Sequence, residues 1–279
     1  MNWEVAKSWL IALFIVLDAV LGWQLYESKQ LASDYAESPA DLLANTKTLL
    51  ANHGFSLDTQ VPSGQPNLVT FQADLANPRL SALVQAAFPN PKGKWTYTGN
   101  VGVTTNQGSI TVTAEGNWTV EYQSPMQITP THTVLSYVYR GSEYTADPIS
   151  SDPNHAVYYE MVDNYPIFDA AIVSTESKGL LMAYSQTLVE HVVANSSPKP
   201  VISALDALDS LAEAVDKTDT ATSSTVVRVD LGYARKVQVA SGNQQVLQSY
   251  WFPVWRIVTT AGTYYVNAFT GEVEMATAF

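Results

Sequence analysis

The sequence predicts an α+β protein, with one N-terminal transmembrane helix followed by two lobes, each placing helix before antiparallel strands. Three observations carry that expectation. An apolar run occupies residues 5–26. Beyond it, stretches with apolar residues at helical spacing give way to Thr-, Val- and aromatic-rich stretches of period two. No alternating βαβ pattern occurs, which argues against a doubly wound nucleotide-binding sheet. The boundaries that follow are a cytoplasmic N-terminus and membrane anchor over 1–29, a first extracytoplasmic lobe over 30–196, and a second over 197–279.

The anchor comes first along the chain. Val5 to Tyr26 is 22 positions, close to the ~20 residues that cross a bilayer as a helix. Trp3 and Trp23 are 20 residues apart, or about 30 Å at 1.5 Å per residue, one hydrocarbon thickness. Tryptophan favours both interfaces. A cleavable signal peptide is the alternative, but Gly22 is followed by Trp23, Gln24, Leu25 and Tyr26, which leaves no small-x-small cleavage site. Lys7 lies near the start of the span and Lys29 beyond its other end, so the positive-inside bias is weak. The long polar chain that follows favours a short cytoplasmic N-terminus and a large external part, in a single-pass protein of the cell membrane.

Asp18 is the costly residue of this segment, at roughly 2.5–3.5 kcal/mol near the membrane centre. The aliphatic residues around it return about 0.3–0.6 kcal/mol each, so insertion survives. One reading has Asp18 tolerated near the outer interface. The other has it contacting a second transmembrane helix. Ser8, Ala12, Ala19 and Gly22 share one helical face bordered by Asp18, and small residues let helices approach while a polar group bonds across. These five form the candidate transmembrane contact.

After a polar linker, Ser38, Pro39, Asp41 and Gly54 bracket a helix over 38–54, with Leu42, Leu43, Leu49 and Leu50 as its apolar stripe. A shorter helix starts at Asn77-Pro78 and stops at Pro89. Residues 94–124 read as strands turning at Asn106-Gln107-Gly108, and 156–187 as further strands turning at Lys178-Gly179. The break at 195–200 precedes a helix over 201–217, and the chain closes in strands. The closing hairpins of the halves are alike, YPIFDAAIVSTESKGLLMAY beside PVWRIVTTAGTYYVNAFTGEV, a weak repeat.

Composition removes several chemistries. The absence of cysteine excludes disulfide scaffolds, Cys-zinc sites and cysteine nucleophiles. A net charge of −12 argues against nucleic-acid partners. The four histidines, His53, His132, His155 and His191, show no ligand spacing, and no nucleophile-elbow or phosphate-loop motif occurs. Asp147, Asp152, Asp163 and Asp169 crowd one segment and could bind calcium or act as a hydrolase pair, though without the calcium-loop order. Of the surplus aromatics, Tyr165, Phe168, Trp251 and Trp255 occupy matching places in the two halves. Each is a core residue or an interface anchor.

Particular residues resemble a known family. MNWEVAKSWLIALFIVLDAVLGWQLY at the start, YPIFDAAI at 165–172 with its Gly179 hairpin, and PVWRI…YYVNAFTGEVE at 253–274 are similar to YycI (WalI), a single-pass membrane protein of Gram-positive bacteria in the WalK/WalR two-component system. Residues 267–273 also resemble the hairpin turn of PepSY-type domains. Asn2 stands for the family's usual Asp, and Asp18 for an expected Asn. The resemblance implies a C-terminal lobe that is PepSY-like or YycH-like, with no catalysis and no cofactor. Its implied partners are the bilayer, a YycH-like membrane protein and a WalK-type sensor kinase that controls cell-wall metabolism. A PepSY-like peptide-binding or protease-inhibiting module is the alternative function.

Overall fold

The computed structural model describes Lys7, residues 13–15, 17–18, 20–24, 38–90, 94–113, 116–215, 223–238 and 248–275. Contacts divide the chain into two compact units, Met1–Thr48 and Leu49–Phe279. Of the predicted span over 5–26, the described residues are helical and exposed, and the rest lie outside the described set. Among the described residues no helix is long and apolar enough to cross a membrane. Helix α1 (Pro39–Asn52) begins in the first unit. The Ser38 hydroxyl caps it by accepting from the Asp41 N–H at 3.2 Å and donating to the Asp41 carboxylate at 2.7 Å.

The second unit is built on strands. After Gly54, whose φ of 82° turns the chain, come β1 (Phe55–Leu57), β2 (Asn67–Leu68) and β3 (Phe71–Leu75). Helix α2 (Leu80–Ala87) buries Leu83, Val84 and Ala87. A meander follows: β4 (Thr96–Thr98), β5 (Gly102–Thr104), β6 (Gly108–Val112) and β7 (Asn117–Gln127). Then come β8 (Tyr144–Asp147), β9 (Val157–Val162), β10 (Tyr165–Ser177), β11 (Leu180–Thr187), β12 (Val189–Ala194) and β13 (Lys199–Pro200). The β10–β11 turn is Lys178-Gly179, both at positive φ (53° and 75°), as a two-residue hairpin loop matching strand twist requires.

Helix α3 (Ala204–Ala214) has a complete capping box. Ser203 Oγ accepts from the Asp206 N–H, and Asp206 Oδ2 accepts from the Ser203 N–H, both at 3.0 Å. Its alternate positions Ala204, Ala207, Leu208, Leu211 and Ala212 are buried. The chain closes with β14 (Ser224–Gln238), β15 (Gln248–Thr259), β16 (Thr263–Asn267) and β17 (Val273–Met275).

Fifteen strands join one sheet whose main path runs β12-β3-β15-β14-β10-β11-β7-β6-β5-β4. This corrects the expectation of separate antiparallel sheets in two lobes, because β14 meets β1 and β10 in parallel, the latter through the single pair Ile167–Tyr233. Gly232 makes that junction sterically possible. A Cβ there would lie 2.4 Å from the Pro166 carbonyl oxygen and 2.7 Å from the Phe168 ring. Such a close approach leaves no periodic trace in sequence.

Two apolar cores flank the junction. One gathers Leu50, Phe55 and Phe71 with Leu208, Trp251, Trp255 and Ile257. The other gathers Val84, Phe88, Trp118, Ile172 and Tyr184. They do not divide at 197. Segment 50–75 packs with the C-terminal elements, since β3 pairs β15 at Phe71–Trp251 and the two rings stack 5.6 Å apart.

Candidate functional site

A cleft of about 660 Å³ opens along β14, walled by loop 59–66 and by the β9–β10 turn, within the ~300–1,000 Å³ of ligand sites. The turn is set by Asp163 and Asn164, both left-handed (φ 49° and 69°). It delivers Tyr165, half-buried, to one wall. The floor is Val229 and Leu231 with the edge of Trp255, whose indole N–H donates to the Ile202 carbonyl at 3.0 Å. Pro62 and Pro66 stiffen the loop opposite.

Charge enters from the other face of β14. Arg228 is 42 % exposed at its side chain, and its Nε lies 3.4 Å from Asp230 Oδ2. Asp230 is already held by a stronger partner across the strands. Arg256, 2 % exposed, donates to Asp230 Oδ1 at 2.9 Å and to Oδ2 at 2.6 Å, the bidentate geometry that suits guanidinium and carboxylate. A further Arg256 nitrogen donates to Asp147 Oδ2 at 2.7 Å and to the Tyr159 hydroxyl at 3.2 Å. The Phe168 ring lies 4.5 Å from the guanidinium carbon. Burial opposes the charge of Arg256, yet the Asp230 and Asp147 carboxylates raise its pKa above the ordinary arginine value. Burial likewise pushes Asp147 up, but hydrogen bonds from Arg256 and Ser150 outweigh it and hold the carboxyl below its usual range.

Two other carboxyls are buried without such compensation. Glu160 on β9 accepts from the Val189 N–H at 2.8 Å, and burial raises its pKa to about 7. It faces a crevice of about 490 Å³ shared with Arg140, Glu143, Glu190 and His191. Asp169 accepts from the Trp251 indole N–H at 3.1 Å. Its second oxygen lies 3.4 Å from Arg235 Nε, an ion pair without hydrogen-bond geometry. Burial raises Asp169 to about 6, although Arg235 pulls the other way.

The structure distributes the residues that the sequence nominates. Tyr165 and Trp255 line the same cleft. Trp251 is fully buried, Trp255 1 % exposed and Phe168 4 % exposed, so of the four aromatic candidates only Tyr165 offers substantial free surface. Asp18 and Gly22 are helical and exposed, with open space around Gly22; Ser8, Ala12 and Ala19 lie outside the described residues. The crowded aspartates separate: Asp147 goes to Arg256, Asp152 binds His155 at 3.1 Å, and Asp169 goes to Trp251. Among the described residues no three His, Asp or Glu side chains gather as metal ligands. Sequence reasoning missed Arg228, Asp230, Arg256 and Glu160. The signal for Arg256 was present, since an arginine inside the apolar strand segment VWRIV requires a buried counter-charge.

The arrangement is that of an α+β sheet protein with an open cleft of mixed polar and apolar lining beside a buried ion-pair network. The YycI protein family matches over residues 95–269, more than half of the chain, and the chain belongs to that family. No curated protein matches it in sequence. Three solved structures are similar at low identity. An uncharacterized protein from Eubacterium rectale ATCC 33656 is 11 % identical at TM-score 0.49, over 80 % of this chain and 91 % of that one. YycH from Bacillus subtilis is 13 % identical at TM-score 0.44, over 74 % of this chain and 53 % of that one. The Bacillus megaterium YpeB C-terminal domain is 14 % identical at TM-score 0.32, over 87 % of this chain and 99 % of that one.

Proposed function

We propose that this chain is a single-pass membrane regulator of a WalK-type sensor histidine kinase, acting with a YycH-like membrane protein and without catalysis of its own. The family match over residues 95–269 is the observation that carries the reading. The apolar run over 5–26 supports a bilayer anchor with a cytoplasmic N-terminus. The Asp18–Gly22 face supports helix contacts with the partners, and the second unit supplies the extracytoplasmic contacts. Regulation then requires that these contacts differ between kinase states, because a bound protein shifts an equilibrium only by its differential affinity.

The test is Asp18→Leu in the full chain. Co-purification and two-hybrid association with the kinase or the YycH-like protein should weaken, and WalR-dependent transcription should move toward that of a strain lacking the chain. Circular dichroism should show the second unit still folded. Undiminished association together with unchanged transcription removes the helix-contact mechanism.

A further inference from the structure

The sheet has a hole in it. The edge of β14 facing away from β15 is paired by β1 at residues 224–226 and by β10 at Tyr233. Between those points, no described residue pairs with it. The direction of the backbone groups follows from proline. Pro253 lies opposite Tyr233 in the β14–β15 ladder, and its carbonyl accepts from the Ala268 N–H on the far side. Tyr233 therefore turns its N–H and C=O toward β10, and strand alternation turns those of Leu231 and Val229 the same way. In a parallel ladder the next donor to the Leu231 carbonyl would be residue 166, which is a proline and has no N–H. On the other side β1 leaves the sheet at Asp58, whose N–H still reaches the Val226 carbonyl at 3.0 Å.

The gap coincides with the 660 Å³ cleft. Its occupant must offer alternating backbone donors and acceptors to Val229 and Leu231. It must also place apolar side chains against Tyr165 and Leu231. Arg228 adds a charge requirement. Among the described residues its ion-pair partner is Asp230, which has both oxygens bonded to Arg256, and the closest approach, 3.4 Å, is from Nε. The paired Nη groups of Arg228 remain available for a bidentate carboxylate.

We propose that the cleft binds a short extended peptide that adds a strand to β14 and sets a carboxylate on Arg228, by strand addition in the manner of sheet-edge recognition. Asp58 covers one end of the gap and Pro166, beside Gly232, the other, so the open stretch is residues 228–231, about 13 Å at 3.3 Å per residue, and three or four peptide residues fill it. The inference does not depend on the kinase.

The probe is a fluorescein-labelled pool of C-terminally amidated tetrapeptides, with Val, Ile or Leu at positions one and three, Thr at two and Glu at four. Polarisation is read on the full chain in detergent micelles. Saturable binding is expected, weakened about tenfold by Arg228→Gln, or by replacing the peptide glutamate with glutamine. Combining the two changes should cost no more than either alone. Methylating the backbone nitrogens that face β14 should abolish binding, while methylating the alternate ones should not. Lack of saturation up to about 1 mM would overturn the proposal. So would equal tolerance of both methylation patterns, or binding of dodecanoate in place of the peptides.

Discussion

At the scale of single residues, the molecule treats its buried charges in two ways. Arg256, Asp230 and Asp147 neutralise one another through short hydrogen bonds, so the cost of removing each from water is offset. Among the described residues Glu160 has no cation at comparable distance. Its crevice holds Arg140, already paired with Glu143 at 2.6 Å, together with Glu190 and the exposed His191, while Asp169 adds to the negative field. The folded-state pKa of Glu160 therefore rises from 4.5 to about 7. A carboxyl with a raised folded pKa holds its proton more tightly when folded. Its contribution to stability is complete below about 4.5 and lost as pH rises through about 7. Glu160→Gln keeps an acceptor for the Val189 N–H and removes the titration. The substituted chain should be more stable than the parent by about 3 kcal/mol at alkaline pH and equal to it in acid. Urea midpoints across that range test this, and parallel pH profiles for the two chains would refute it. Asp169, raised to about 6, should leave a smaller residual slope in both.

At the scale of elements, the decisive contact is the one between β10 and β14. Gly232→Ala places a methyl group against the Pro166 carbonyl and the Phe168 ring. Either β10 shifts or the Arg256 cluster beneath Phe168 loosens, at about 1–3 kcal/mol as for other overpacked sites. The drop in denaturation midpoint should exceed that of Gly262→Ala, where nothing lies within 4 Å. Equal effects would mean the junction is pliable. This contact also marks where sequence reasoning stops. The helices at Pro39–Asn52, Leu80–Ala87 and Ala204–Ala214 were legible because caps, prolines and apolar spacing are local signals. The hairpin turns at Gly108 and Gly179 were legible for the same reason. Parallel pairing of β14 with β1 and β10 joins residues 60 or more positions apart, and nothing in either segment encodes its distant neighbour. The cleft followed the same rule. Tyr165 and Trp255 stood out as aromatic, whereas Arg228 and Asp230 became site residues only once the gap between β1 and β10 existed.

At the scale of the whole second unit, the two cores share strands, and this should govern how the protein unfolds. Strand β10 gives Ile167 and Ala170 to the core containing Trp251, and Ile172 to the core containing Trp118. The chain also passes directly from Leu75 to Ala76 and from Leu188 to Val189 between the two cores. Loss of either core therefore removes side chains that fix β10 and exposes the buried Asp169 carboxylate at its centre. A half-unfolded state would keep the entropy cost of an ordered β10 with only part of its burial. Residues 49–275 should accordingly unfold in one cooperative step. Trp118 reports on one core, and Trp251 and Trp255 on the other, all at 1 % exposure or less. With Trp3, Trp9 and Trp23 replaced by phenylalanine throughout, chains carrying Trp95→Phe with Trp118→Phe, or Trp251→Phe with Trp255→Phe, separate the two fluorescence signals. Each chain's tryptophan transition should coincide with its own transition by far-UV circular dichroism. A fluorescence midpoint displaced from the circular-dichroism midpoint in either chain would show that the cores unfold separately, and that the sheet joins two independent domains rather than one.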